Sequence, residues 1–181
     1  KEYCKILKLK GISSSFEEAM EESKDFEEFL HKILTSELNE KDKSAMECRI
    51  RNANFPYKKY IDDIEIDCLP EMMQKKLPEL ATLDFIEKGK NIIMTGNPGT
   101  GKTHVSISLG IKACKAGYKV LFTTVPLLIT EMKECNSIKK LKYFQNRFQK
   151  YDLVIADELG YISFDKEGTD LLFTCLSLRA A

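Results

Sequence analysis

Gly96-Asn97-Pro98-Gly99-Thr100-Gly101-Lys102-Thr103 fits G-x-x-x-x-G-K-[ST] without departure, and no other stretch of the chain narrows the fold as much. Glycines at these positions let a loop wrap so that successive backbone N–H groups point inward at phosphate oxygens. The helix immediately after the loop adds its positive N-terminal end. In this reading Gly96, Asn97, Pro98, Gly99, Thr100 and Gly101 form the cradle. Lys102 reaches the β- and γ-phosphates as a point charge, and the Thr103 hydroxyl ligates Mg²⁺. His104, next in line, is counted with the loop and read as a packing neighbour rather than a catalyst.

The flanking sequence supplies the setting that the loop needs. Asn91-Ile92-Ile93-Met94-Thr95, Lys119 to Thr124 and Leu153 to Ala156 are short apolar runs of strand length separated by helical stretches. That pattern predicts an α/β fold with a parallel sheet covered on both faces. Val105 to Leu109 alternates with period two, but its place directly after the loop predicts a helix that ends at Gly117. The third run ends in Asp157-Glu158, two carboxylates at the strand end where parallel sheets bind ligands. Asp157 fits a Mg²⁺ ligand, and Glu158 fits the base that orients and activates an attacking water. Two carboxylates there favour a hydrolase over a small-molecule kinase.

Upstream, Ser15 and Glu18 read as a capping box opening a helix near Ser14. Its apolar stripe runs from Phe16 through Ala19, Met20, Phe26, Phe29, Leu30, Ile33 and Leu34 to Leu38, and a further helix is expected from about Asn39 to Ala53. Residues 1–54 are therefore expected to form a small helical N-terminal domain that must dock its stripes on itself or on the downstream chain. Residues 55–77 read as a linker, and 78–181 as the nucleotide-binding core. Pro78 is expected in the first turn of a helix carrying Leu80, Leu83 and Ile86, with Gly89 at its C-terminal cap.

Charge and cysteine content exclude several classes. The 28 basic and 28 acidic side chains cancel, which rules out a histone-like or acidic-tail protein. Residues 61–90 hold 4 basic and 8 acidic groups, and residues 91–181 hold 12 and 8, so an acidic joint precedes a mildly basic back. Lys133, Lys139, Lys140, Lys142, Arg147 and Lys150, interleaved with Tyr143, Phe144 and Phe148, form either a solvated helix face or a DNA-phosphate contact. Lys41, Lys43, Arg49, Arg51, Lys58 and Lys59 form a weaker second candidate. The six cysteines show no CxxC spacing, so reduced, mostly buried thiols in a cytoplasmic protein are expected. No apolar run approaches the roughly 18 residues that span a bilayer, and the N-terminus lacks a secretory pattern. The chain begins at Lys1 without a methionine, which places the expected start upstream.

Asp157-Glu158-Leu159-Gly160-Tyr161, followed by Phe164 to Gly168 and Leu171-Leu172-Phe173, resembles the IstB family of transposition helper ATPases, relatives of the DnaC and DnaI helicase loaders within the AAA+ class. The resemblance covers nearly the whole chain. It implies an ATP-binding and ATP-hydrolysing helper protein that self-assembles on double-stranded target DNA without sequence preference and hands it to a transposase. Lys102, Thr103, Asp157 and Glu158 take the roles given above. It also implies a further strand, carrying a polar sensor residue, between the loop strand and the Asp157 strand. The chain stops at Arg179-Ala180-Ala181, within the helix expected to precede that strand. The C-terminal part of the fold is therefore expected to be missing, and with it efficient turnover of ATP. A helicase loader, or a truncated nucleotide- or DNA-binding fragment without catalysis, are the competing expectations.

Overall fold

A computed structural model of the chain describes residues 2–160 and 165–180. The elements run α1 (Glu2–Ile6), α2 (Lys10–Glu22), α3 (Phe26–Asn52), two short 3-10 turns at Ile61–Asp63 and Ile66–Cys68, α4 (Glu71–Leu80), α5 (Asp84–Glu87), α6 (Lys102–Lys115), β1 (Val120–Thr124), α7 (Val125–Ser137), α8 (Leu141–Phe148), β2 (Leu153–Asp157) and α9 (Lys166–Ala180). They divide into two compact units, Lys1–Cys48 and Arg49–Ala181.

The first unit is a helical hairpin whose seam is set by a glycine. Gly11 on α2 lies so close to α3 that a Cβ there would sit 2.4 Å from the Ser36 carbonyl oxygen. The buried carboxylate of Glu37 accepts the backbone N–H of Ile12 at 3.1 Å. A negative group thus caps the first turn of α2 from across the hairpin. This corrects the expected capping box. α2 begins at Lys10, and the Ser14 and Ser15 hydroxyls donate back to the Gly11 carbonyl inside the helix. The local cap lies one helix later, where Asp25 accepts the N–H of Glu28 at 2.8 Å. The helix expected from Ser14 to Leu38 breaks after Glu22, and α3 then runs from Phe26 past Asn39 to Asn52 without interruption.

In the second unit, β1 and β2 pair in parallel with Val120 opposite Leu153 and Thr124 opposite Asp157. Side chains alternate across this pair. Phe122 and Ile155 face Ile107 and Ile111 of α6, while Leu121 and Val154 face the cluster of Leu128, Ile129, Met132, Phe144, Phe148 and Leu172 from α7, α8 and α9. Helices therefore cover both faces, as the apolar runs predicted. Six free cysteines are present, and burial pushes the Cys114 and Cys175 thiols up to about 11.

Three expectations are corrected here. Residues 91–95 form no strand, because no described strand lies beside them to complete a ladder, and Ile93 is 82% exposed. Pro78 lies within α4 rather than opening a helix, since Pro70 already stands at the N-cap of α4. The stretch read as a linker packs into the core of its unit: Ile61, Ile64, Leu69, Met73 and Leu77 close on Val105 and Leu109. Gly89, with φ +60°, does end its helix, and its N–H and that of Lys90 return to Ile86 and Phe85.

Candidate nucleotide-binding site

The loop at 96–101 takes its shape from three left-handed glycines, with φ of 146° at Gly96, 80° at Gly99 and 81° at Gly101. Gly101 stands at the N-cap of α6, and a Cβ there would meet Leu69 at 3.0 Å. The left-handed backbone there favours glycine. The Thr100 hydroxyl donates to the Asn97 carbonyl at 2.9 Å and tightens the turn. Lys102, the first residue of α6, folds back along the loop, and its Nζ donates to the Gly96 and Asn97 carbonyls at 2.8 and 2.7 Å.

The α6 helix is held rigidly behind this loop. Val105, Ile107, Ser108, Leu109, Gly110, Ile111, Ala113 and Cys114 are all buried. Gly110 lets Ile155 of β2 and Phe55 approach so closely that a Cβ would lie 2.7 and 2.8 Å from them. That contact brings the end of β2 to the start of α6. There the Thr103 hydroxyl donates to the Asp157 carboxylate at 2.9 Å, across 54 residues of sequence. A hydroxyl and a carboxylate oxygen so close together are a hard-cation donor pair of the kind Mg²⁺ takes alongside phosphate oxygens and water. Among the described residues no cluster of three or more His, Cys, Asp or Glu could hold a metal by itself.

Glu158 comes next in a left-handed conformation, φ +62°, with its N–H donating to Asp157 Oδ1 at 3.0 Å. A non-glycine residue held there carries backbone strain of about 1 kcal/mol or more, a feature that gathers at functional sites. Tyr161 and Phe164 of the family-like string lie outside the described residues.

Tyr57 joins the site although no motif marks it. Its ring stands edge-on to His104 with centroids 5.4 Å apart. Burial raises its phenol above the ordinary 10.0, and the negative charge of Asp157 raises it further. His104 is thus a packing partner of an aromatic ring that lies close enough to Asp157 to feel its charge. Only the Phe-Pro-Tyr string before the loop could have hinted at this.

The basic run divides. Lys133 pairs with Asp165 at 2.7 Å, and Arg147 pairs with Glu131. Phe144 and Phe148 are buried and stacked, as the solvated-face reading expects of them. Lys139 and Lys140, in the turn from α7 to α8, and Lys142, in the first turn of α8, remain exposed beside Ile138 and Tyr143 at 59% and 71% exposure. In the second basic group, Arg49 is committed inward and donates to the Cys114 carbonyl at 2.8 Å. His31 is exposed on α3. Among the described residues, no helix is long and apolar enough to cross a membrane.

Comparison with known proteins shows what the chain is similar to. The chain is 33% identical over 182 residues to a protein described as the ATP-binding protein of insertion sequence IS5376 from Geobacillus stearothermophilus, an alignment covering 98% of this chain and 72% of the relative. It is 33% identical to the corresponding IS21 protein of Pseudomonas aeruginosa, covering 93% of this chain and 63% of the relative. With the IS232 protein of Bacillus thuringiensis subsp. berliner it shares 28% identity, covering 85% of this chain and 62% of that one. The chain therefore spans about two thirds of the length of these relatives. The family model for IstB-like ATP binding proteins matches residues 3–181, from the helical hairpin through the loop to the end of α9, and the chain belongs to that family.

Proposed function

We propose that this chain is the ATP-binding part of an insertion-sequence helper ATPase of the AAA+ type. The observation that carries the reading is the 2.9 Å contact between Thr103 and Asp157 at the mouth of a loop shaped by three left-handed glycines. In this reading Gly96 to Thr103 hold the phosphates through backbone N–H groups and the N-terminal end of α6, and His104 stands beside them. Lys102 exchanges the loop carbonyls for phosphate oxygens. Thr103 and Asp157 would hold Mg²⁺, which would supply positive charge against the phosphate oxygens. Glu158 accepts a proton from the attacking water and orients it.

The IS5376 and IS21 names of the relatives support a role in transposition. We infer that a cytoplasmic protein of the relatives' length assembles with copies of itself in the ATP state on double-stranded DNA and delivers that DNA to a transposase. Lys139, Lys140 and Lys142 are the cations best placed for phosphate contact, because Lys133 and Arg147 already have carboxylate partners. Such contacts carry no base information and weaken steeply with salt.

Calorimetry tests the nucleotide site. Lys102→Ala removes a charge-assisted contact and is expected to weaken Mg·ATP binding about 10- to 100-fold. Equal affinity of the variant and the parent overturns the assignment. For DNA, a filter-binding titration over a salt series is expected to show a lower affinity and a flatter salt slope when Lys139, Lys140 and Lys142 are all replaced by Ala.

A further inference from the structure

The helical hairpin leaves an apolar surface uncovered. Phe26, Leu30, Leu34 and Leu38 recur at every fourth residue of α3 and are 78%, 43%, 54% and 60% exposed. Phe16 and Met20 repeat that spacing on α2, at 41% and 61% exposure. Residues four apart share one face of a helix. The two rows join through rings, since Phe16 stands edge-on to Phe29 at 5.5 Å and Phe29 lies 6.2 Å from Phe26. Loose packing does not explain this exposure, because the inner seam is closed by Ala19, Ile33 and the Gly11–Ser36 approach. A joined apolar face of this kind marks an interaction site.

Its borders are acidic. Residues 13–32 carry Glu17, Glu18, Glu21, Glu22, Asp25, Glu27 and Glu28 against Lys24 and Lys32, and Lys32 pairs with Glu22 and Glu28. Glu21 and Glu27 are exposed, and each comes one position after a stripe residue, a rotation of about 100° around the helix. Carboxylates thus edge the end of the apolar face that holds Phe16, Met20 and Phe26.

We propose that this face docks an amphipathic helix of another protein, one that is apolar along a single stripe and bordered by Lys or Arg. An exposed apolar row at i, i+4, i+8 is the counterpart of a helix laid into a groove. The acidic border selects a basic partner, steering its approach and fixing its orientation. A second copy of this chain would bring the same carboxylates to the interface, so like charges oppose self-pairing. Nucleic acid is disfavoured for the same reason, and its backbone offers nothing to cover leucines. The inference does not depend on nucleotide binding by the other unit.

Fluorescence anisotropy with the whole chain tests it. The probe is a labelled peptide of about 18 Leu and Lys residues with leucines at helical spacing, long enough to fold on a surface. Two controls accompany it, the same composition scrambled to destroy the stripe, and the stripe kept with Glu replacing Lys. The expected result is that the Leu/Lys helix binds at least about ten-fold tighter than either control. The double substitution Leu30→Ser and Leu34→Ser is expected to weaken it by a similar factor while leaving helical circular dichroism unchanged. The double substitution of Glu21 and Glu27 by Gln is expected to reduce the salt dependence. Photo-crosslinking of the unaltered chain, mapped by mass spectrometry, is expected to attach the peptide to α2 and α3, which needs no variant to fold. Equal binding of the scrambled peptide overturns the proposal, as does crosslinking elsewhere. Sedimentation showing a dimer that the serine variant dissociates overturns it in favour of a second copy as the occupant.

Discussion

Helices α6 and α3 stand in opposite relations to the protein around them. α6 buries eight of its 14 residues, whereas α3 buries only Ile33 and Glu37 of its 27. Burial of eight residues fixes the axis of α6, so the turn carrying Lys102 and Thr103 is held where the end of β2 arrives. α3 is held chiefly by its own hydrogen-bond ladder and by a seam along α2, which leaves a face open. A helix that must place a hydroxyl within 2.9 Å of a distant carboxylate requires the first arrangement. A helix that offers a surface requires the second.

Several measurements put this contrast to the test. The largest expected effect belongs to the chemistry served by α6. Glu158→Gln, made in a protein of the relatives' length, is expected to retain ATP and lose about 10²- to 10⁴-fold in hydrolysis, monitored as phosphate release. An unchanged rate removes Glu158 from the mechanism. Next comes packing. Ile107→Ala, at a fully buried position of α6, is expected to cost about 2–5 kcal/mol in chemical denaturation, while Leu34→Ala on α3 changes stability by about 0.5 kcal/mol or less. Similar costs at the two sites would mean that the open face is covered after all.

Two glycines set the helices apart in the same way. A methyl group at Gly11 meets main-chain atoms, the Ser36 oxygen at 2.4 Å and the Glu37 Cα at 2.5 Å. One at Gly110 meets the side chains of Ile155 and Phe55, which can turn away. Gly11→Ala is therefore expected to cost about 3 kcal/mol and Gly110→Ala about 1–2, both read from denaturant midpoints. The reverse order would show that the surroundings of α6 yield less than the backbone of α3.

The smallest effect is electrostatic. The Lys133 ammonium donates to both oxygens of Asp165, and the Gly168 N–H donates to one of them. Together they hold the Asp165 carboxyl below its ordinary 3.8. A carboxyl depressed on folding stabilises the protein fully above its unfolded value, and that contribution fades as pH falls through the folded one. Asp165→Asn is thus expected to lower stability slightly at neutral pH. Acid titration should show the gap closing only below 3.8.

Much of the site was legible in sequence because its signals are local or stereotyped. The loop pattern, the helix after it, Gly89 and Gly117 as helix ends, and the apolar run ending in Asp157 were all readable at their own positions. Misreadings arose where a distant group replaced a local one. Ser15 and Glu18 had the spacing of a capping box, but Glu37 supplies the cap of α2 from the other helix. Residues 55–77 read as a linker because no periodicity marks them, yet α6 needs apolar cover and Leu69 and Leu77 provide it. Ile92 and Ile93 had strand composition, but composition supplies no neighbouring strand.

Residue types and short spacings were enough to name the groups on offer: a glycine-rich loop, an ammonium, a hydroxyl and two carboxylates, each readable at its own position. Which of these groups meet was left to the packing. Thr103 and Asp157 come together because Gly110 admits Ile155 and Phe55 against α6, and Tyr57 reaches His104 from a segment with no motif. Packing also chose which charges stay available, since Lys133 and Arg147 found carboxylates while Lys139, Lys140 and Lys142 stayed exposed. Side-chain pairing across tens of residues depends on close-packed shape, and a linear pattern does not encode shape one residue at a time.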